Sequence, residues 1–193
     1  MKKLSLLLII ALSTTLFAFK SKIASVWSVD KNHAKIGFTI THLLVSDVDG
    51  HFGKFDAKIT SSKEDFSDAV LDMTAEAASI NTDNEKRDEH LRSADFFDVA
   101  KFPTITFKST AFVPAGAGKY TVKGNLTMKG VTKPIVLDAT IRQGISPMTK
   151  GPIAGFKISG TIKRSDFGIG NYPAAILSNE VQINGNGEFA KVQ

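Results

Sequence analysis

The chain has 193 residues, 42% hydrophobic and 22% charged, with 15 Gly, 6 Pro, 14 Phe and no Cys. This composition excludes intrinsic disorder, a collagen-like fibre and a disulfide-stapled scaffold, and a domain of this length buries about 70% of its unfolded surface without needing a metal. The formal charge of +5 is scattered along the chain, too weak for a nucleic-acid footprint.

At the N-terminus, Lys2 and Lys3 precede an apolar run from Leu4 to Phe17 that closes on the small residue Ala18. A spanning helix needs roughly 20 apolar residues, and this run is shorter and diluted by Ser5, Ser13, Thr14 and Thr15, so it reads as a secretory signal. Cleavage after Ala18 divides the chain into a signal peptide, 1–18, and one exported domain, 19–193. Loss of Lys2 and Lys3 leaves 22 Lys and Arg against 19 Asp and Glu, a charge of +3. The absence of Cys removes a lipoprotein attachment residue and any disulfide. A soluble periplasmic protein is expected.

Beyond the signal, apolar residues recur with period two, the mark of strands with one buried face. They run Ile36, Phe38, Ile40; Phe55, Ala57, Ile59; and Leu71, Met73, Ala75, Ala77. After an interruption come Ile105, Phe107, Ala111, Val113; Tyr120, Val122, Gly124, Leu126, Met128; and Ile135, Leu137, Ala139, Ile141. Phe156, Ile158, Gly160, Ile162 and then Val181, Ile183, Phe189 complete the series. The opposite faces are polar, as at Lys54, Asp56 and Lys58 or Glu180, Gln182 and Asn184. Apolar inside and polar outside is the reverse of an outer-membrane barrel. About eight long strands joined mostly by short turns predict an all-β fold, an eight-stranded antiparallel up-and-down barrel, with a two-sheet sandwich as its rival.

Between the third and fourth strands the alternation breaks. Thr82 and Glu85 have capping-box spacing, and Asp83 with Arg87 and Asp88 with Arg92 are pairs four apart, which predicts a short helix over 83–92 lying across one rim. Leu91, Phe96, Phe97 and Phe102 dock its far end.

Strand phase then assigns an interior. Phe38, Ile40, Phe107, Val122, Leu126, Phe156, Ile158, Gly160 and Ile162 face the lumen, and inward glycines and alanines leave room for a guest. A core filled by its Phe rings is the equal alternative. Continuing three inward series past their strand ends reaches His42, Ser79 with Asn81, and Arg164, which together with Arg87 and His90 form a polar and basic rim. An amphiphile with its tail in the lumen and its head at the mouth fits this layout. Three of these rim residues, and Arg92 beside them, also have a plain structural reading: Arg164 as an ion pair with Asp166, Arg87 and Arg92 as partners of Asp83 and Asp88, His42 as a local hydrogen-bonding group.

Catalytic and metal signals are weak. There is no Cys nucleophile, no Gly-x-Ser-x-Gly elbow and no phosphate-cradling loop, and histidines at 33, 42, 51 and 90 lack paired ligand spacing. No catalytic residue, metal or cofactor is expected. Two alternatives remain: a filled-core barrel for protein interaction, and an enzyme acting on a lipid head group with His42 or His90 as general base.

The stretches Ser79-Ile80-Asn81-Thr82, Arg87-Asp88-Glu89-His90-Leu91-Arg92-Ser93-Ala94-Asp95-Phe96-Phe97-Asp98 and Phe102-Pro103-Thr104-Ile105-Thr106-Phe107 resemble the signature of the YceI-like family. Gly124-Asn125-Leu126-Thr127-Met128-Lys129-Gly130 and Arg164-Ser165-Asp166-Phe167-Gly168 extend the likeness over nearly all of the exported domain. The resemblance implies a lipocalin-like barrel in the periplasm, commonly a homodimer, holding a polyisoprenoid, an isoprenoid quinone or a fatty amide in its lumen. Such a carrier is soluble but can visit a membrane surface, and it has no nucleic-acid partner.

Overall fold

The structure, a computed structural model, describes residues 23–192; the expected signal segment and its cleavage after Ala18 lie outside the described residues. Alternation in the sequence becomes strands β1 (Ser25–His42), β2 (Ser46–Phe52), β3 (Phe55–Ser61), β4 (Val70–Glu76) and β5 (Ile80–Asn81). After helix α1 (Glu85–Arg92) come β6 (Thr104–Pro114), β7 (Lys119–Met128), β8 (Val131–Ile145), β9 (Pro152–Lys163) and β10 (Leu177–Lys191).

These ten segments make eight barrel strands. β1 pairs with β3 through Ser25–Ser28 and with β2 through Gly37–His42, so β2 and β3 are two halves of one strand bent at Gly53 and Lys54. β4 and β5 are likewise halves, pairing with β3 and β2 and separated by a single 3-10 turn, Ala77–Ser79. All neighbours are antiparallel in up-and-down order, and β1 pairs with β10 to close the cylinder. Closure leaves no full-length edge to template aggregation.

Two irregularities shift the inward phase away from simple alternation. In β1 the register slips between Asp30 and Ala34, which changes the inward parity and explains why the strand begins eleven residues before Ile36, with Trp27 buried. In β6 a bulge falls between Ser109 and Ala111. Ala111 and Val113 therefore do not continue the inward series of Ile105 and Phe107: Phe112 is buried, while Val113 is 45% exposed. Ser109, buried at the bulge, accepts a hydrogen bond from the Leu71 N–H at 2.8 Å and so completes the β4 to β6 ladder where the backbone cannot.

The helix is shorter than 83–92 and is capped differently. Asp83 has φ +60°, which turns the chain one residue before the cap, and Asn84 rather than Thr82 accepts from the Arg87 N–H at 3.1 Å. The pairs Asp83 with Arg87 and Asp88 with Arg92 do not form. Asp88 is buried and accepts from the Thr82 N–H and hydroxyl at 2.9 and 2.5 Å. Arg92 reaches back to Glu85 at 3.1 Å and to the Ala78 carbonyl at 3.1 Å. These bonds fasten the helix across one end of the barrel, here called the upper end.

The lower end is closed by the 62–69 loop. Phe66 is buried to 1% exposure, its ring 5.2 Å from Trp27 and 5.3 Å from Phe156, and Phe156 in turn lies 5.1 Å from Phe189. The Tyr120 hydroxyl donates to the Asp65 carbonyl, and Gln143 donates to the Glu64 carbonyl at 2.8 Å. Asp68 clasps the loop by accepting from Ser61 Oγ at 2.6 Å, from the Ser62 hydroxyl, and from the Lys63 and Ser62 N–H groups at 3.1 Å each. Partial burial works to raise the Asp68 pKa, but these donors outweigh it and hold the carboxyl well below the usual carboxylate range.

Because the folded pKa lies below the unfolded value of about 3.9, the stability Asp68 supplies is present above that pH and is lost as pH falls through the folded pKa. Urea unfolding of Asp68→Asn should show a lower midpoint than the parent at pH 7, with the gap narrowing below about pH 4. A gap that widens on acidification contradicts this account.

Candidate functional site

The upper half of the barrel is hollow. A cavity of about 350 Å³ lies beneath α1, and a second void of about 80 Å³ lies below it. Ile36, Met73, Leu126 and Ile183 line both, forming a waist between them. The larger volume falls at the small end of the roughly 300–1,000 Å³ typical of ligand pockets.

Most of the lumen residues expected from strand phase meet these spaces. Phe38, Ile40, Leu126 and Ile162 line the upper cavity, and Phe107, Phe156, Ile158 and Leu126 line the lower void. Val122 and Gly160 line neither. Val122 is fully buried. A Cβ on Gly160 would sit 2.5 Å from Leu137 Cδ2, so the neighbouring Leu side chain already covers this glycine. The same holds where small residues face the interior elsewhere: a Cβ on Gly50 would lie 2.3 Å from Phe38 Cζ, and one on Gly124 would lie 2.4 Å from Phe107 Cζ. These glycines accommodate Phe rings laid against the wall. They do not themselves open space for a guest.

Of the six rim candidates, His42, Arg87, His90 and Arg164 line the upper cavity, and Ser79 and Asn81 do not. The 3-10 turn at Ala77–Ser79 breaks the strand whose phase would have carried both inward. The Ser79 hydroxyl instead donates to the Glu76 carbonyl at 2.6 Å and accepts from the Lys54 N–H at 3.0 Å, while Asn81 accepts from the Asp83 N–H at 2.8 Å.

Arg164 sits in a 3-10 turn, Arg164–Phe167, and forms no pair with Asp166. Its Nε donates to the Ser178 carbonyl at 2.9 Å, and Nη2 donates to Tyr172 and Leu177 at 2.7 and 2.8 Å. Nη1 donates to the Ile169 carbonyl at 3.2 Å and to that of Gly170. Among the described residues five N–H donors thus meet five backbone carbonyls, leaving none for a head group. Burial lowers the pKa of the guanidinium, yet Arg stays charged in proteins. Arg164 is therefore the clasp that holds the 169–178 segment against the mouth.

Arg87 is different. Its Nε donates to Thr82 Oγ1 at 2.7 Å and its Nη2 to the Thr82 carbonyl at 2.6 Å, which orients the fork, while Nη1 makes no hydrogen bond among the described residues. The Thr82 hydroxyl in turn donates a hydrogen bond to Asp88, so the buried carboxylate steadies Arg87 through one intervening hydroxyl. His90 lies 3.4 Å from Asp95 and edge-on to Phe96 at 5.0 Å. Phe96 stacks on Tyr172 at 5.8 Å, linking α1 to the segment clasped by Arg164.

Sequence reasoning missed part of this wall. Phe52, Val48 and Tyr172 line the cavity, as do Leu91, Phe96 and Phe97, which had been expected only to dock the helix. The apolar cluster after α1 was visible, but its inward direction depends on the Arg92 anchors. Among the described residues no Asp, Glu, Lys, Ser or Cys lines the cavity, and no cluster of three metal-ligating side chains occurs. The mouth is cationic or neutral around an apolar interior. It can hold a chain by desolvation and receive a head group that accepts hydrogen bonds.

A YceI-like domain model matches residues 27–189. Protein YceI of Salmonella newport (strain SL254) is 40% identical over 161 residues, covering 82% of this chain and 83% of that protein. The crystal structure of Burkholderia cenocepacia BcnA superposes with a TM-score of 0.76 at 28% identity, over 83% of this chain and 98% of that one. A polyisoprenoid binding domain from Saccharophagus degradans has the same fold, with a TM-score of 0.65 at 14% identity over 86% and 98% of the two chains.

The clasp assignment has a direct test. Arg164→Ala should lower stability by about 3 kcal/mol or more, because five backbone carbonyls, two of them buried, lose their donor, and any loss of affinity in the folded fraction should be equal for anionic and neutral ligands. Selective loss of anionic ligands would return Arg164 to the head-group site.

Proposed function

The chain belongs to the YceI-like family, and from that membership and the shape of its lumen we propose that it binds one long-chain amphiphile, tail inward and head at the α1 rim. The observation that carries this reading is the apolar cavity of about 350 Å³ lined, among the described residues, by two arginines and two histidines but by no carboxylate. Burying each methylene contributes roughly 0.8 kcal/mol, so a tail that fills the cavity binds tightly after its ordering cost is met. Arg87, oriented by Thr82 and with Nη1 free, favours a head that is anionic or rich in acceptors. Polyisoprenoids, isoprenoid quinones and fatty amides all suit this chemistry.

The role is carriage or storage in the periplasm, where the N-terminal segment would direct the protein, as a soluble chain with a homodimer as the expected assembly. Binding requires no catalytic group or cofactor. The cavity argues against a wholly filled core.

Val181 on β10 lines the cavity and pairs across the sheet with Ile40. Val181→Trp should occupy the lumen and reduce affinity for a fluorescent fatty probe at least tenfold, with the urea midpoint little changed. Undiminished affinity in a folded variant would place the probe elsewhere.

A further inference from the structure

The turn between β1 and β2 is built against ordinary preference. Leu43 and Leu44 both have positive φ, 53° and 59°, in a hairpin position that favours Asn and Gly, because bulky side chains are strained there. The strain is not offset by packing: Leu43, Leu44 and Val45 are 53%, 68% and 84% exposed. A strained, exposed apolar turn is a local conflict of the kind that collects at functional sites.

This turn does not stand alone. The Leu43 N–H donates to the Ile176 carbonyl at 2.9 Å, which joins the turn to the segment held by Arg164. Tyr172 and Ile176 in that segment are themselves exposed, and both line the cavity mouth. Positions 43–46 and 171–178 contain no charged residue. The result is a continuous uncharged apolar lip on one side of the opening, carrying a Tyr, the residue type favoured at the boundary between lipid and water.

We propose that this lip docks the barrel on the surface of a lipid bilayer, with the cavity mouth facing the lipid. The inference rests on the reading that the cargo is a membrane-resident amphiphile, for which such a lip shortens the path between bilayer and lumen. An uncharged lip matches the apolar layer of the bilayer and has no basic group to recognise anionic lipid, so docking is driven by desolvation and is insensitive to salt.

Hydrogen exchange of the full chain, read by mass spectrometry with and without phosphatidylcholine vesicles, tests this. Peptides covering 42–46 and 171–177 should exchange more slowly with vesicles present, equally at low and high salt. In Leu43→Ser/Leu44→Ser this protection should disappear and vesicle flotation should fall at least tenfold, while the urea midpoint and affinity for a soluble fatty probe stay unchanged. Absence of protection in both loops, protection abolished by salt, or protection that appears without vesicles as protein concentration rises would each overturn the proposal, the last by identifying a second copy as the partner. Docking without probe binding would leave the lip in place and remove the cargo reading.

Discussion

A closed barrel of eight strands has an interior just wide enough to be filled by its own side chains or to hold one small guest, and here the filling is uneven. Trp27, Phe66, Phe156 and Phe189 form a chain of ring contacts that plugs the lower end and leaves only the small void above it. Phe66 comes from the 62–69 loop and reaches full burial only because Asp68 and Tyr120 fasten that loop. The upper cavity is what this uneven filling leaves, with the Phe38 ring laid along its wall over Gly50.

The upper end is held by hydrogen bonds to backbone carbonyls as well as by ring contacts such as Phe96 on Tyr172. Arg164 gathers five carbonyls from the 169–178 segment, Arg92 reaches the carbonyls of the 78–80 stretch, and Lys129 bridges the Ala94 and Gly168 carbonyls at 2.9 and 3.0 Å. These cations serve as framework. Arg87 alone among the arginines lining the cavity keeps a free N–H, which separates the groups that build the mouth from the group available to a ligand.

Much of this was legible in the sequence, for a physical reason: a barrel with one buried face per strand prints its inward residues at period two. The strand count and most lumen positions followed from that, the helix at the rim from the break in the period and its charge spacing, and the motif from Arg87 to Asp98 pointed to the family and so to the barrel over the sandwich. What escaped was whatever breaks the period. A bulge at Ser109 reversed Ala111 and Val113, a slip after Asp30 hid the first half of β1, and a 3-10 turn removed Ser79 and Asn81 from the rim. Arg164 was placed correctly at the mouth, but its five carbonyl partners come from a segment with no periodic signal, so its role was not readable. The apolar lip at Leu43 and Leu44 was hidden likewise, because a turn is judged by its φ angles and a sequence prints only residue types.

The central claim is that the upper cavity holds a single amphiphile. It is tested most directly by native mass spectrometry of the protein purified from its native host without detergent, followed by organic extraction of whatever is released. The account predicts one stoichiometric adduct with a long apolar tail and an anionic or acceptor-rich head. A bare protein mass, unchanged after incubation with isoprenoid quinones, polyprenyl phosphates and fatty amides, would contradict it.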